Sequence, residues 1–183
     1  FYGDAWIEAI KAIKLGTPGS PSPLRVTIRF AGADFTPCFA ATSKWEVPDG
    51  STEASPAFWQ LNATAGLYEL HVRCRLPVGA QIAGYRIRWQ GDDADANKFL
   101  LGALVHTDNT PTMSSIGSSV YGQNSLWHTT TAGSAGFPHT VEAGYIYTAR
   151  ILAASNVANA IKVLWLEMDL DVFDIWQLIG VGS

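Results

Sequence analysis

Residues whose types and spacing could do chemistry are thinly spread along this chain. Asp92, Asp93, Asp95 and Asn97 crowd into one short segment, and Asp93-x-Asp95-x-Asn97 is the start of a calcium-loop pattern, in which side-chain oxygens alternate along a turn. The pattern then stops. Lys98 stands where a glycine is needed and Leu104 where a bidentate glutamate would fall. Asp93, Asp95 and Asn97 are therefore candidate calcium ligands set against a solvated hairpin turn, since a hard cation needs six or more oxygens. His71, His106, His128 and His139 lie in four separate segments without HxxxH or HxH spacing, so no transition-metal centre is expected from them. The run Gly117-Ser118-Ser119-Val120-Tyr121 lacks the second glycine of a nucleophile elbow, and there is no phosphate loop, CxxC pair or dinucleotide fingerprint. No catalytic residue is assigned, no enzyme is expected, and calcium is the only cofactor considered.

Binding chemistry is better represented. Arg25, Arg29, Arg73, Arg75, Arg86 and Arg88 all fall on the polar phase of alternating segments. Side by side they would make a ladder for acidic glycans; the simpler expectation is cross-strand pairing with Glu69, Glu46 or Glu167, or an intersubunit contact. Trp127, Trp45 and His128 sit in polar surroundings and are candidate ligand contacts through ring stacking. Trp165 interrupts an apolar alternation, and burial between subunits is the reading preferred for it.

The elements that must position these residues are mostly strands. Val26, Ile28 and Phe30 alternate with Arg25, Thr27 and Arg29; Tyr68, Leu70, Val72, Cys74 and Leu76 alternate with Glu69, His71, Arg73 and Arg75; Tyr85, Ile87 and Trp89 alternate with Arg86 and Arg88. This two-residue period marks half-buried antiparallel strands. Two further strands are predicted at Tyr145 to Leu152 and Ile161 to Leu170, the latter with Leu164, Leu166, Met168 and Leu170 on one face and Trp165, Glu167 and Asp169 on the other. Thr107 to Pro138 reads as a long turn-rich region. The one helix expected is at residues 5 to 15, capped by Asp4 and carrying Trp6, Ile7 and Ile10 as an apolar stripe. The expected organisation is a helical extension over 1–16, a Pro/Gly linker over 17–24, an all-β antiparallel jelly-roll sandwich over 25–171, and an apolar extension over 172–183 containing Phe173 and Trp176.

Composition bounds the partners. The 183 residues are 48% hydrophobic and only 15% charged, with a net charge of −4; this argues against a general nucleic-acid binder, which needs a clustered excess of Lys and Arg. No apolar run approaches the ~20 residues of a membrane-spanning helix, so no membrane insertion is expected. Seven Trp, six Tyr and eight Phe are more than one small sandwich is expected to hold, which points to an aromatic subunit interface. Cys38 and Cys74 are both expected to be buried thiols. Because the chain starts at Phe1, it is read as a processed product or a piece of a longer polypeptide.

Three segments carry a family resemblance. AGLYELHVRCRL (65–76) resembles the Gly-x-Tyr strand of the tumour-necrosis-factor-like jelly rolls, the superfamily of complement globular heads and trimeric phage appendage domains. EAGYIYTARIL (142–152), with Tyr145 where an acidic residue is usual, and IKVLWLEMDL (161–170) resemble its later strands, and Phe58 to Leu61 would lead into the first. The resemblance implies a homotrimer, for which Trp165, Tyr145 and Tyr147 are candidate interface residues; Trp6, Ile10, Phe173 and Trp176 lie in the apolar ends outside the resembling stretch and are expected to dock on neighbouring chains because such patches are rarely left open. The resemblance further implies a virion-surface structural or attachment module contacting other virion proteins or a cell-surface glycan. The alternative expectation is a monomeric extracellular carbohydrate-binding sandwich.

Overall fold

The computed structural model describes residues 22–31, 34–38, 45–46, 58–62, 67–91, 99–108, 113–121, 127–131, 136–158 and 160–173. Within them run twelve strands: β1 (Leu24–Ala31), β2 (Thr36–Pro37), β3 (Trp45–Glu46), β4 (Trp59–Leu61), β5 (Tyr68–Cys74), β6 (Gln81–Gly91), β7 (Phe99–Thr107), β8 (Met113–Tyr121), β9 (His128–Thr131), β10 (His139–Thr140), β11 (Ile146–Ala154) and β12 (Ile161–Val172). All pairings are antiparallel.

A seven-stranded sheet is centred on its two longest members, β12 and β6. β1 and β4 lie end to end along the other edge of β12, with β3 beyond β4, while β9 and β10 border the far edge of β6. The five-stranded sheet runs β2-β5-β11-β7-β8. The chain crosses repeatedly between them: β4 to β5, β5 to β6, β6 to β7, β8 to β9, β10 to β11 and β11 to β12. That is the layout of a jelly-roll-like β-sandwich, as the strand pattern predicts.

Period-two alternation makes the sandwich. Ile82, Tyr85, Ile87 and Trp89 of β6 and Leu166, Met168 and Leu170 of β12 meet Leu70, Val72 and Cys74 of β5 and Tyr147, Ala149, Ile151 and Ala153 of β11 in one buried cluster. Close approach of the layers is explicit at Gly102 in β7, where a Cβ atom would lie 2.6 Å from Ile87 Cδ1 of the facing sheet. A larger residue there would have to displace the Ile87 side chain and crowd the Tyr85 ring. Trp89 is completely buried, yet its indole Nε1–H donates to Thr130 Oγ1 at 3.1 Å, so its polar atom is satisfied by β9.

Several expectations need correction. Leu164 does not share the core face of β12: a β-bulge falls between Val163 and Trp165, so Ile161 and Val163 are buried before it and Leu166, Met168, Leu170 and Val172 after it, with Leu164 half-buried. The extra residue resets the alternation. Tyr68 packs at the margin of the core, half-buried. The Thr107 to Pro138 region contains β8 and β9, edge strands rich in Ser and Thr whose sequences show no apolar alternation, although Ile116 of β8 is buried in the core. β7 shows no alternation because Ala103 and Val105 are buried as well as Leu100 and Leu104. Cys74 is buried but Cys38 is half-buried, and both thiols are free. The predicted N-terminal helix with Trp6 and Ile10, the acidic segment with Asp93, Asp95 and Asn97, and Trp176 lie outside the described residues.

Candidate functional site

The outward face of the seven-stranded sheet carries most of the residues singled out for binding. Its register sets Arg25 opposite Asp171, Thr27 opposite Asp169 and Arg29 opposite Glu167 across β1 and β12, and Arg86 opposite Glu167 across β6 and β12. The side chains use that register. Arg25 donates from Nε and Nη2 to the two Asp171 oxygens at 2.7 Å each. Thr27 Oγ1 donates to Asp169 Oδ1 at 2.6 Å, and Arg29 Nε to Glu167 Oε1 at 2.7 Å. Arg86 bridges two acids, donating from Nε to Glu167 Oε2 at 2.7 Å and from Nη1 to Asp169 Oδ2 at 2.6 Å.

The consequence is mutual neutralisation. Burial acts to raise the Glu167 carboxyl, but hydrogen bonds from Arg29 and Arg86 and then their charges outweigh it and hold the group below its ordinary value. Asp169 is lowered in the same way, against burial, by Thr27 and Arg86. These arginines hold the sheet together, in line with the simpler expectation, and Arg150 does the same for Glu69 on the other sheet. Among the described residues Arg88 reaches only Thr129 Oγ1, at 3.4 Å.

Aromatic side chains occupy the other end of this face. Trp165 is half-buried with the Arg29 guanidinium 5.1 Å above its ring. Further along, Phe58 lies just before β4 and Trp127 just before β9, on opposite sides of β12 and β6. Their rings nevertheless meet edge to face with centroids 5.7 Å apart, so they arch over the two central strands. Lys162 Nζ lies 5.9 Å from the centre of the Phe58 ring. Gln60, opposite Lys162 across β4 and β12, adds an amide to the same end. All four side chains are half-buried, neither core nor free.

The remaining sequence candidates are dispersed. Trp45 is 5% exposed and is a core residue, because β3 presents it inward. Tyr147 is 2% exposed and also belongs to the core; its hydroxyl accepts the Glu142 backbone N–H at 2.9 Å and lies 3.3 Å from His139 Nε2. Tyr145 is half-buried and stacks on His106 at 4.6 Å. His139 packs edge-on to His106 at 5.3 Å, and its pKa is lowered by burial and then by that neighbour's charge. His128 pairs with Trp89 in backbone register, and Phe173 is half-buried just past β12. Sequence reasoning passed over Phe58 and Lys162 as site residues. Their spacing in the chain carries no sign of contact; only the outward phase of Phe58 and Gln60 on one short strand hinted at it. On the outward face of the smaller sheet, Cys38, Glu69 and His71 bring a thiol, a carboxylate and an imidazole within 4.8 Å of one another.

No protein-family model matches the chain, and no curated protein does. Solved structures similar to it include a family two carbohydrate esterase from Cellvibrio japonicus, at 9% identity and a TM-score of 0.40, over 82% of this chain and 35% of that one. A xylan-binding domain of the CBM 22 type is similar at 9% identity and a TM-score of 0.44, over 76% of this chain and 87% of that one. The K1 cleaved adhesin domain of Lys-gingipain from Porphyromonas gingivalis is similar at 12% identity and a TM-score of 0.44, over 80% and 98%. This chain thus spans about a third of the esterase chain and most of the other two.

Proposed function

We propose that this chain is a non-enzymatic glycan-binding β-sandwich module whose ligand lies across the outward face of the seven-stranded sheet, at its aromatic end. The observation that carries the reading is the Phe58 and Trp127 pair, meeting at 5.7 Å over the central strands with Lys162 beside it. A sugar ring presents an apolar C–H face and a rim of hydroxyls; half-exposed aromatic rings suit the first, while Gln60, Lys162, Arg88 and Thr129 suit the second. The neighbouring ion-pair ladder supports the site by stiffening its floor. Its acids are already matched by arginine, so they do not repel an anionic sugar. The trimeric virion module implied by the family resemblance gains no support from this geometry: Trp45, Trp59 and Trp89, three of the aromatics that suggested an interface, are core residues.

The test is affinity electrophoresis of the full chain against a panel of neutral and acidic polysaccharides. At least one should retard it, and Trp127→Ala and Phe58→Ala should each weaken that retardation about tenfold or more, while Arg25→Gln at the far end of the ladder leaves it unchanged. A panel with no retarding polysaccharide, or retardation indifferent to both aromatic substitutions, overturns the proposal.

A further inference from the structure

We infer that Cys38, Glu69 and His71 form a site for a thiophilic divalent metal ion of the zinc type, on the outward face of the five-stranded sheet and independent of the glycan-binding reading. Backbone register brings the three together. β2 pairs with β5 through Thr36 opposite His71 and Pro37 opposite Leu70, and the ladder continues one residue further, with the Cys38 N–H donating to the Glu69 carbonyl at 2.9 Å. Glu69 and His71 are two residues apart on one strand and so share a face. One ligand atom from each of the three lies within 4.8 Å of the others. Around a tetrahedral zinc ion with bonds of about 2.0 to 2.3 Å the ligand atoms stand about 3.3 to 3.8 Å apart; the side chains need only close by about 1 Å on a scaffold already fixed by hydrogen bonds.

The donor set selects the ion. A thiolate and an imidazole favour zinc and its neighbours over magnesium or calcium, which take oxygen alone. Three protein ligands leave the fourth position to water. It can be reached from solvent, because all three residues are only half-buried and His71 also borders an open cleft of about 410 Å³ with Asp34, Thr36 and Arg73.

Arg150 completes the arrangement. It stands opposite His71 across β11 and β5, and its Nε and Nη2 bind the two Glu69 oxygens at 2.6 and 2.5 Å. Each carboxylate oxygen keeps a lone pair, so the guanidinium fixes the plane of the carboxylate without using it up, as outer-shell partners of metal ligands do. On metal binding the Cys38 thiol loses its proton to solvent. The dication then faces two anions, Cys38 and Glu69, against one cation, Arg150. Cys74 takes no part: it lies buried in the core, with its thiol pushed up to about 12 by burial.

The experiment is titration of the full chain, kept reduced, with cobalt(II), followed by competition with zinc. One equivalent should bring up an intense near-ultraviolet thiolate-to-cobalt band together with visible bands of four-coordinate intensity. Cys38→Ser should abolish the near-ultraviolet band. His71→Ala should weaken zinc binding at least tenfold, and Cys74→Ala should leave spectrum and affinity unchanged, with circular dichroism confirming that each variant is folded. A wild-type chain with no thiolate band, a band that survives Cys38→Ser, or zinc affinity unaltered by His71→Ala overturns the inference.

Discussion

Glu167 is a carboxylate 6% exposed and shared by two guanidiniums, whereas Asp171 pairs with Arg25, whose side chain is 60% exposed. The two pairs look alike in register and differ in energy. Exposed pairs contribute about 0 to 1 kcal/mol; a charged hydrogen bond at a buried acceptor contributes about 1.5 to 3 kcal/mol. Glu167→Gln should therefore destabilise the fold by about 2 kcal/mol and Arg25→Gln by less than about 1 kcal/mol in denaturant unfolding. Equal losses would show that Glu167 is no better sheltered than the rim. The pH dependence has a definite sign. Glu167 and Asp169 are held below their ordinary values of 4.5 and 3.8, so the unfolded chain binds more protons than the native one as pH falls past those values. Their stabilisation is complete above that range and is lost as pH drops through the lowered native values, and the loss should be shallower in Glu167→Gln.

At the scale of elements, the segments that repeat apolar and polar residues strictly, β1, β5 and the Tyr85 to Trp89 part of β6, were legible in the sequence, because one buried face leaves a two-residue signature. Where the signature failed, a local event had displaced it. The bulge at Leu164 carries no marker glycine, so Leu164, Leu166, Met168 and Leu170 read as one face in sequence although the backbone sets Leu164 apart from the other three. β7 is apolar on both faces, β9 is polar, and β8 is mostly Ser and Gly with Ile116 alone of its described side chains in the core, so none of them alternates. The candidate site was half legible for a related reason: Trp127 announces itself as an aromatic in a polar stretch, but its partner Phe58 precedes β4, which is separated from β9 by the two central strands of the sheet. The bulge is open to test. Leu166, fully buried, should cost about 2 to 5 kcal/mol on substitution by alanine, and Leu164, half-buried beside it, about 1 kcal/mol or less. Comparable losses would restore the unbroken alternation and remove the bulge.

For the molecule as a whole, part of the aromatic surplus that suggested a subunit interface lies in the two-layer core, where Trp59 and Trp89 from one sheet and Tyr147 from the other fill the gap between layers. A core shared by both sheets implies that neither sheet opens alone, since separating them exposes the apolar faces of both. Cys74 can report this. It is 5% exposed on β5, paired with Tyr147 of β11 across the five-stranded sheet, and its thiol is pushed up to about 12 by burial, so a thiol reagent reaches it only when the layers part. Cys38, half-buried at the edge strand, needs no such opening. The two cysteines should therefore label at widely separated rates, Cys38 first. Glu167→Gln, which acts on the opposite sheet, should accelerate Cys74 by about tenfold for each ~1.4 kcal/mol of stability lost, leaving Cys38 unchanged. Acceleration confined to substitutions within the five-stranded sheet would mean that the sheets open separately and that the core does not bind them into one cooperative unit.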